Sequence, residues 1–218
     1  MLIDIFSDRY EHTGTAEKRD AHAQGLWHRT FSALLVNPAA RTVTLQKKAP
    51  GRAGFDRPDY ADFTVGGHYH AGEDIPDGVR EAHEELGLAS LSYSDFVPVG
   101  IRQTAVTLPG GRIEREFQHW HLLPLDLRLG DIPLGGGDGE VSGLVEVSLD
   151  HAISLAADGL EQAPARYLSC TSGGTRVSDG TLTPADLIPG YLGTDQLYLR
   201  VFALTRRYLA GDRQYLFV

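Results

Sequence analysis

Three carboxylates crowd one turn of chain in Arg80-Glu81-Ala82-His83-Glu84-Glu85-Leu86-Gly87-Leu88, where Glu81, Glu84 and Glu85 stand at i, i+3 and i+4. On a helix this spacing puts them on one face. Like charges so placed destabilise a helix by a few tenths of a kcal/mol per pair, and by more where the face is partly buried. A cation relieves the repulsion. A hard divalent ion such as Mg2+ or Mn2+ takes oxygen ligands, keeps several waters, and binds tightly when a phosphorylated substrate supplies the remaining oxygens.

The elements that must position these groups can be read from pattern. Pro76 to Leu86 predicts a helix, ended by Gly87 in the place a left-handed cap favours. Asp62 to Val65 reads as a strand leading to a tight turn at Gly66-Gly67, after a loop from Ala49 to Asp62 rich in Pro, Gly and basic residues. Further upstream, Trp27 to Asn37 and Thr42 to Lys47 predict a hairpin of two strands, Leu2 to Phe6 a short edge strand, and Asp8 to Asp20 polar turn and loop. Beyond the helix, Ala89 to Arg102 and Glu114 to Leu125 predict strands joined by the turn Leu108-Pro109-Gly110-Gly111. Ser142 to Ser148 predicts a strand running into a helix from Leu149 to Ala157. Asp195 to Ala210 predicts a longer helix with Leu197, Val201, Leu204 and Tyr208 on its packing face. Leu134 to Glu140 reads as a glycine-rich connection, and Thr171 to Thr194 as a long loop suited to a lid or to specificity.

Composition narrows the class. The chain has 218 residues, 42% hydrophobic and 22% charged, enough for a real core and too balanced for disorder. Its 29 acidic residues against 20 Lys and Arg give a net charge of −9, with no basic stripe, which argues against nucleic acid as a partner. A lone cysteine, Cys170, and a start with neither a basic nor a long apolar segment predict a cytoplasmic protein. No apolar stretch approaches the roughly 20 residues of a membrane-spanning helix, so no membrane partner is expected.

Gly67, then Glu73, then Arg80 to Leu88 resembles the Nudix box, which reads G, five residues, E, seven residues, REUxEExGU with U apolar. Only six residues separate Glu73 from Arg80 here, one fewer than the pattern, which shortens the loop before the helix. A wider resemblance points to the type I isopentenyl diphosphate isomerases, a branch sharing the Nudix fold. It is carried by Gly14 to Lys18, Ala21-His22, Leu26 to Ser32, Gly67-His68 and Gly111 to Glu116. The resemblance implies an α/β fold of the Nudix type, an α/β/α sandwich with a mixed sheet. It suggests one Nudix domain over 1–218, with an amino-terminal strand extension and an elaborated carboxy-terminal part able to mediate a homodimer. It further implies that His22, His28, His68, Glu114 and Glu116 hold a divalent ion. Three imidazoles and two carboxylates suit manganese, zinc or iron better than magnesium. The strand spacing is compatible, since Glu114 and Glu116 are two apart and share a face.

The isomerases keep a cysteine just before the glycine-histidine pair, where this chain has Gly66. Glycine supplies no acid or base for proton transfer at carbon, whereas the Glu81, Glu84, Glu85 helix is that of the hydrolases. The expectation is a Nudix hydrolase cleaving a small-molecule diphosphate linkage, such as a nucleoside diphosphate derivative, with metal-activated water. Alternatives are an isopentenyl diphosphate delta-isomerase-like protein and a non-catalytic Nudix ligand-binding module. By the resemblance Glu81, Glu84 and Glu85 hold the metal, with Glu73 in a lesser role, and Arg80 orients the glutamates. Glu84 and then Glu116 are the candidates for general base. Lys47, Lys48 and Arg52 stand where the isomerase branch keeps diphosphate contacts, and Gly67 borders the substrate. His119 and His121, flanking Trp120, read as ordinary strand residues.

Overall fold

The amino-terminal residues pair before the apolar core of the chain begins. In the computed structural model, which describes residues 1–48, 60–108, 111–134, 141–171 and 174–218, Leu2–Phe6 (β1) runs antiparallel to His12–Glu17 (β2). A helix follows at Lys18–Gln24 (α1) and ends at Gly25, whose φ of 63° is the left-handed conformation glycine adopts without cost. The expected loop over 8–20 is therefore largely strand and helix. Its polar composition hid a ribbon held by backbone hydrogen bonds, with most of β2 facing outward.

β3 (Trp27–Asn37) forms the centre of the sheet, because its alternate side chains are buried on both faces. It pairs antiparallel with β4 (Thr42–Lys48), as the hairpin reading expects, but only from Leu35 to Asn37. Past that point β4 pairs with β5 (Ala61–Phe63) and β3 with β6 (Val65–His68), so the sheet splits. Gly66 and Gly67 lie inside β6, opposite Ser32 and Phe31, and do not form a turn. Gly67 marks a close approach to the Glu81 side chain of the neighbouring helix instead.

A 3-10 turn at Ile75–Gly78, capped by Asp74, leads into α2 (Val79–Leu86), which ends at Gly87 with φ 70°. The predicted 76–86 helix is thus a tighter turn followed by two α-turns. A second 3-10 turn at Tyr93–Asp95 precedes β7 (Val97–Thr107), so this strand begins later and runs further than its sequence suggests. β8 (Ile113–Pro124) pairs antiparallel with β7 and parallel with β3, which makes the sheet mixed. β9 (Val141–Ser148) and α3 (Leu149–Ala156) follow the expected strand-to-helix order, with Ser148 capping the helix. β10 (Ala163–Thr171) and β11 (Gly174–Leu182) form a hairpin at one end of the sheet. The expected 171–194 loop is in this way half strand, and a lid does not describe it. Its Thr, Ser and Gly content reflects a ribbon exposed on both sides. A short α4 (Pro189–Gly193) and the amphipathic α5 (Leu197–Leu209) complete the described chain.

The sheet order is β11-β10-β9-β4-β3-β1-β2, with β5 on β4, β6 and β8 on β3, and β7 on β8. One face packs Leu34, Val36, Trp120 and Leu122 beneath α3 and α5. The other packs Phe31, Leu35, Val65 and Leu123 against Ala82 and Leu86 of α2. The result is an α/β/α sandwich. Among the described residues no helix is long and apolar enough to cross a membrane. Arg52 and the Gly135–Glu140 connection lie outside the described residues, as does most of the 49–62 loop.

Candidate active site and metal cluster

The cleft, with a volume of about 300 Å³, opens where the sheet splits. β3 contributes Thr30 and Ser32, β4 Gln46 and Lys48, β6 Gly67 and His68, α2 Glu81 and Glu84, and β8 Glu114, Glu116 and Gln118.

On the helical wall, Arg80 organises the carboxylates. Its guanidinium lies 3.0 Å from an oxygen of each of Glu73, Glu81 and Glu84, and its Nη2 also donates to the His68 carbonyl at 3.0 Å. The shortened loop still brings Glu73 into a two-pronged contact, Nε to Oε1 at 3.0 Å and Nη2 to Oε2 at 3.2 Å. Burial alone would raise the Glu73 carboxyl, but the Arg80 fork and the His70 amide outweigh it and hold the group below its ordinary value. Glu81 is different. Burial pushes its carboxyl up to about 7 against the pull of Arg80, with Glu85 and Glu84 adding to the rise. A Cβ at Gly67 would fall 2.1 Å from the Glu81 carboxyl carbon, so only glycine lets this acid lie against β6. Glu85 is buried, accepting from the Gly66 amide at 3.0 Å and from the Gln46 amide and Lys48 ammonium. Lys48 therefore lines the cleft as an ion-pair partner of Glu85, while Lys47 is not among the lining residues.

Across the cleft, one nitrogen each of His22, His28 and His68 and one oxygen of Glu116 lie within 4.8 Å of one another. Their tautomers follow from the partners of the other ring nitrogens. His22 Nδ1–H donates to the Ile113 carbonyl at 3.2 Å and His28 Nδ1–H to the Leu26 carbonyl at 2.8 Å, which leaves both Nε2 lone pairs facing inward. His22 Nε2 lies 3.0 Å from His68 Nε2 and accepts from Arg112 at 3.1 Å. His28 Nε2 is buried without a hydrogen bond, 3.7 Å from Glu116 Oε1. Burial drives the His22 imidazole down to about 4, helped by Arg112 and His28, and holds His68 well below its usual value. Burial opposes the charge on Glu116, yet His28, His68 and the Gln118 amide outweigh it and keep that carboxyl below its ordinary range. Three imidazole nitrogens converging on a carboxylate oxygen form a donor set for a divalent ion. Glu114 borders the same cleft, but its oxygens do not join the four converging atoms.

Gln46, Arg112 and Gln118 also line the cleft; Arg112 lies within the Gly111 to Glu116 stretch that carries the resemblance, whereas Gln46 and Gln118 belong to no motif. A period-2 signal does mark these two: Gln46 is two residues from Lys48 and Gln118 two from Glu116, so each shares its neighbour's face. His119 and His121 project to the opposite face, where they meet Tyr10, Tyr69, Tyr93 and Phe31.

The layered sheet and the acidic helix seated under a glycine pair define an α/β/α sandwich of the Nudix type. Residues 26–168 match the NUDIX domain. A Nudix hydrolase of Clostridium acetobutylicum is 27% identical over 202 residues, 91% of this chain and 95% of that protein. An isopentenyl-diphosphate Delta-isomerase of Burkholderia multivorans is 33% identical over 110 residues, 50% of this chain and 58% of that protein. The crystal structure of DR0079 from Deinococcus radiodurans superposes with a TM-score of 0.54 over 73% of this chain and 90% of that one, at 22% identity, a likeness of fold. The chain belongs to the Nudix hydrolase family, enzymes that hydrolyse diphosphate bonds and generally use divalent metal ions.

Proposed function

We propose that this protein hydrolyses the diphosphate linkage of a small molecule, a nucleoside diphosphate derivative or a similar compound, with Mg2+ or Mn2+. The observation that carries the reading is one cleft lined both by the Arg80-bound Glu81 and Glu84 and by His68 and Glu116 of the histidine-glutamate cluster. Both donor sets fit a metal: the first offers carboxylate oxygens, and the second contains the orphaned His28 Nε2. Glu81, Glu84 and Glu85 would hold the hard ion, with Glu73 locking Arg80, and His22, His28, His68 and Glu116 a second ion. Bound there, a divalent ion neutralises diphosphate oxygens and lowers the pKa of a coordinated water.

The chain's own residues do the rest. Lys48 and Arg112 line the cleft and attract the anionic substrate against the net negative charge of the molecule. Glu84, exposed and paired with Arg80 at 3.0 Å, would accept the proton of the attacking water. Glu85, buried against Lys48 and Gly66, holds the helix to the cleft floor.

The test is a panel of diphosphate compounds offered with Mg2+ and with Mn2+, scored for phosphate or mononucleotide release. Glu84→Gln and Glu85→Gln are each expected to lower the rate by orders of magnitude while the protein stays folded. Full activity in both variants would remove the assignment. Isomerisation of isopentenyl diphosphate is the second reading, favoured by the four converging side chains and by the Burkholderia relative. It predicts uptake of solvent deuterium at carbon without phosphate release, and Gly66 counts against it.

A further inference from the structure

Along β8 the side chains of Glu116, Gln118 and Trp120 share one face, and Gln118 is the link between them. Its Oε1 accepts from Arg102 Nη1 at 2.7 Å and from Trp120 Nε1 at 3.3 Å, and its Nε2 donates to Glu116 Oε2 at 2.8 Å. Guanidinium and indole only donate and a carboxylate only accepts, so a single amide orientation satisfies all three contacts. Arg102 sits directly across the β7–β8 pair from Gln118. Its Nε donates at 2.7 Å to Asp195 Oδ2, which lies between α4 and α5 and beyond the stretch that matches the NUDIX domain. Glu116 Oε2 is thereby committed to Gln118. Its Oε1 is left facing His28 Nε2 at 3.7 Å.

We infer that Arg102 and Gln118 are positioning residues that hold the Glu116 carboxylate for metal binding, anchored by Asp195 from beyond the stretch that matches the NUDIX domain. The inference rests on reading His22, His28, His68 and Glu116 as a metal site. Hydrogen bonds to a ligating carboxylate fix which oxygen meets the ion, and their removal costs roughly 10- to 100-fold in metal affinity. A glutamine that only filled space would tolerate Met, which has similar length and no amide.

The experiment titrates the full chain with Co2+ by visible absorption, alongside thermal unfolding of the metal-free protein. The signal of interest is the component that Glu116→Gln abolishes. Gln118→Met is expected to weaken this component about tenfold and to change its absorption band, with metal-free unfolding little moved. Arg102→Leu should act in the same direction by less. Because the two residues work in series, the double variant should bind within about twofold of Gln118→Met alone. Gln118→Asn keeps the amide but shortens it, is expected to lose the same tenfold, and carries the test if the Met variant does not fold. Unchanged affinity and spectrum in the folded Gln118 variants, or losses that multiply in the double variant, would overturn the relay while the metal site stands. An unaltered titration in Glu116→Gln would overturn the site and the relay together.

Discussion

Two adjacent glycines in β6 carry different burdens, and the difference can be measured. A Cβ at Gly67 would collide with the Glu81 carboxylate at 2.1 Å, whereas a Cβ at Gly66 would meet nothing nearer than the Phe31 carbonyl at 3.9 Å. Gly66→Ala and Gly66→Cys are therefore expected to fold with stability changed by less than about 1 kcal/mol, by urea unfolding. Gly67→Ala should fold as well, because the atoms it strikes end a side chain. It must however push Glu81 off β6, and activity should fall about tenfold or more. Equal activity in Gly66→Ala and Gly67→Ala would show that the position of Glu81 is immaterial. At this scale it was the resemblance that made the cluster legible: of the five residues it implies, His22, His28, His68 and Glu116 each bring one donor atom together, and Glu114 does not join them. The Lys48–Glu85 pair and the Gln118 link were not legible, since each joins residues whose proximity the sheet alone creates.

Between residue and molecule, the placement of α2 depends on how closely it can approach β3. Gly78 makes the approach possible: its φ of −59° is open to any residue, yet a Cβ there would lie 2.3 Å from the ring of the fully buried Phe31. Gly→Ala at an unstrained position ordinarily stabilises by about 0.4–1 kcal/mol. Overpacking a core costs about 1–3 kcal/mol, and a ring stacked on His121 and edged by Phe96 and Tyr69 has little room to turn, so the second effect wins. Gly78→Ala is expected to lower the urea midpoint, and an unchanged or raised midpoint would mean the helix slides freely. Elements with an apolar period, such as β3, β9, α3 and α5, were readable within a few residues of their ends. β2 and β11 were not, because a ribbon exposed on most sides has no hydrophobic alternation to display. The β6 glycines failed for another reason: Gly-Gly signals a turn and a close approach equally well.

Across the whole molecule, stability should depend on pH through histidines that have no part in the cleft. His119 and His121 alternate to the face of β8 opposite Glu116 and are 4% and 1% exposed. His121 Nδ1–H donates to the Ser32 carbonyl at 3.3 Å, its Nε2 meets the Tyr93 hydroxyl at 3.2 Å, and its ring stacks on Phe31 at 4.6 Å. His119 Nε2 meets the Tyr10 hydroxyl at 2.7 Å. His121 has partners at both ring nitrogens as a neutral imidazole, and burial lowers each ring to about 4 from an ordinary 6.5, with Arg29 and His121 adding to the fall at His119. As pH drops through 6.5 the unfolded chain takes up protons that the folded one refuses until about 4. Their contribution is accordingly complete above pH 6.5 and is lost between 6.5 and 4, at roughly 2 kcal/mol per ring by pH 5. Against a typical total of about 5–15 kcal/mol, that is a large share. His121→Phe keeps the stack on Phe31 and removes one titrating group. Urea unfolding of the metal-free protein at pH 7.5 and pH 5 should show the variant losing about 2 kcal/mol less than the parent over this interval. The same loss in both proteins would mean that His121 titrates alike folded and unfolded, and that the core around Phe31 admits a charge.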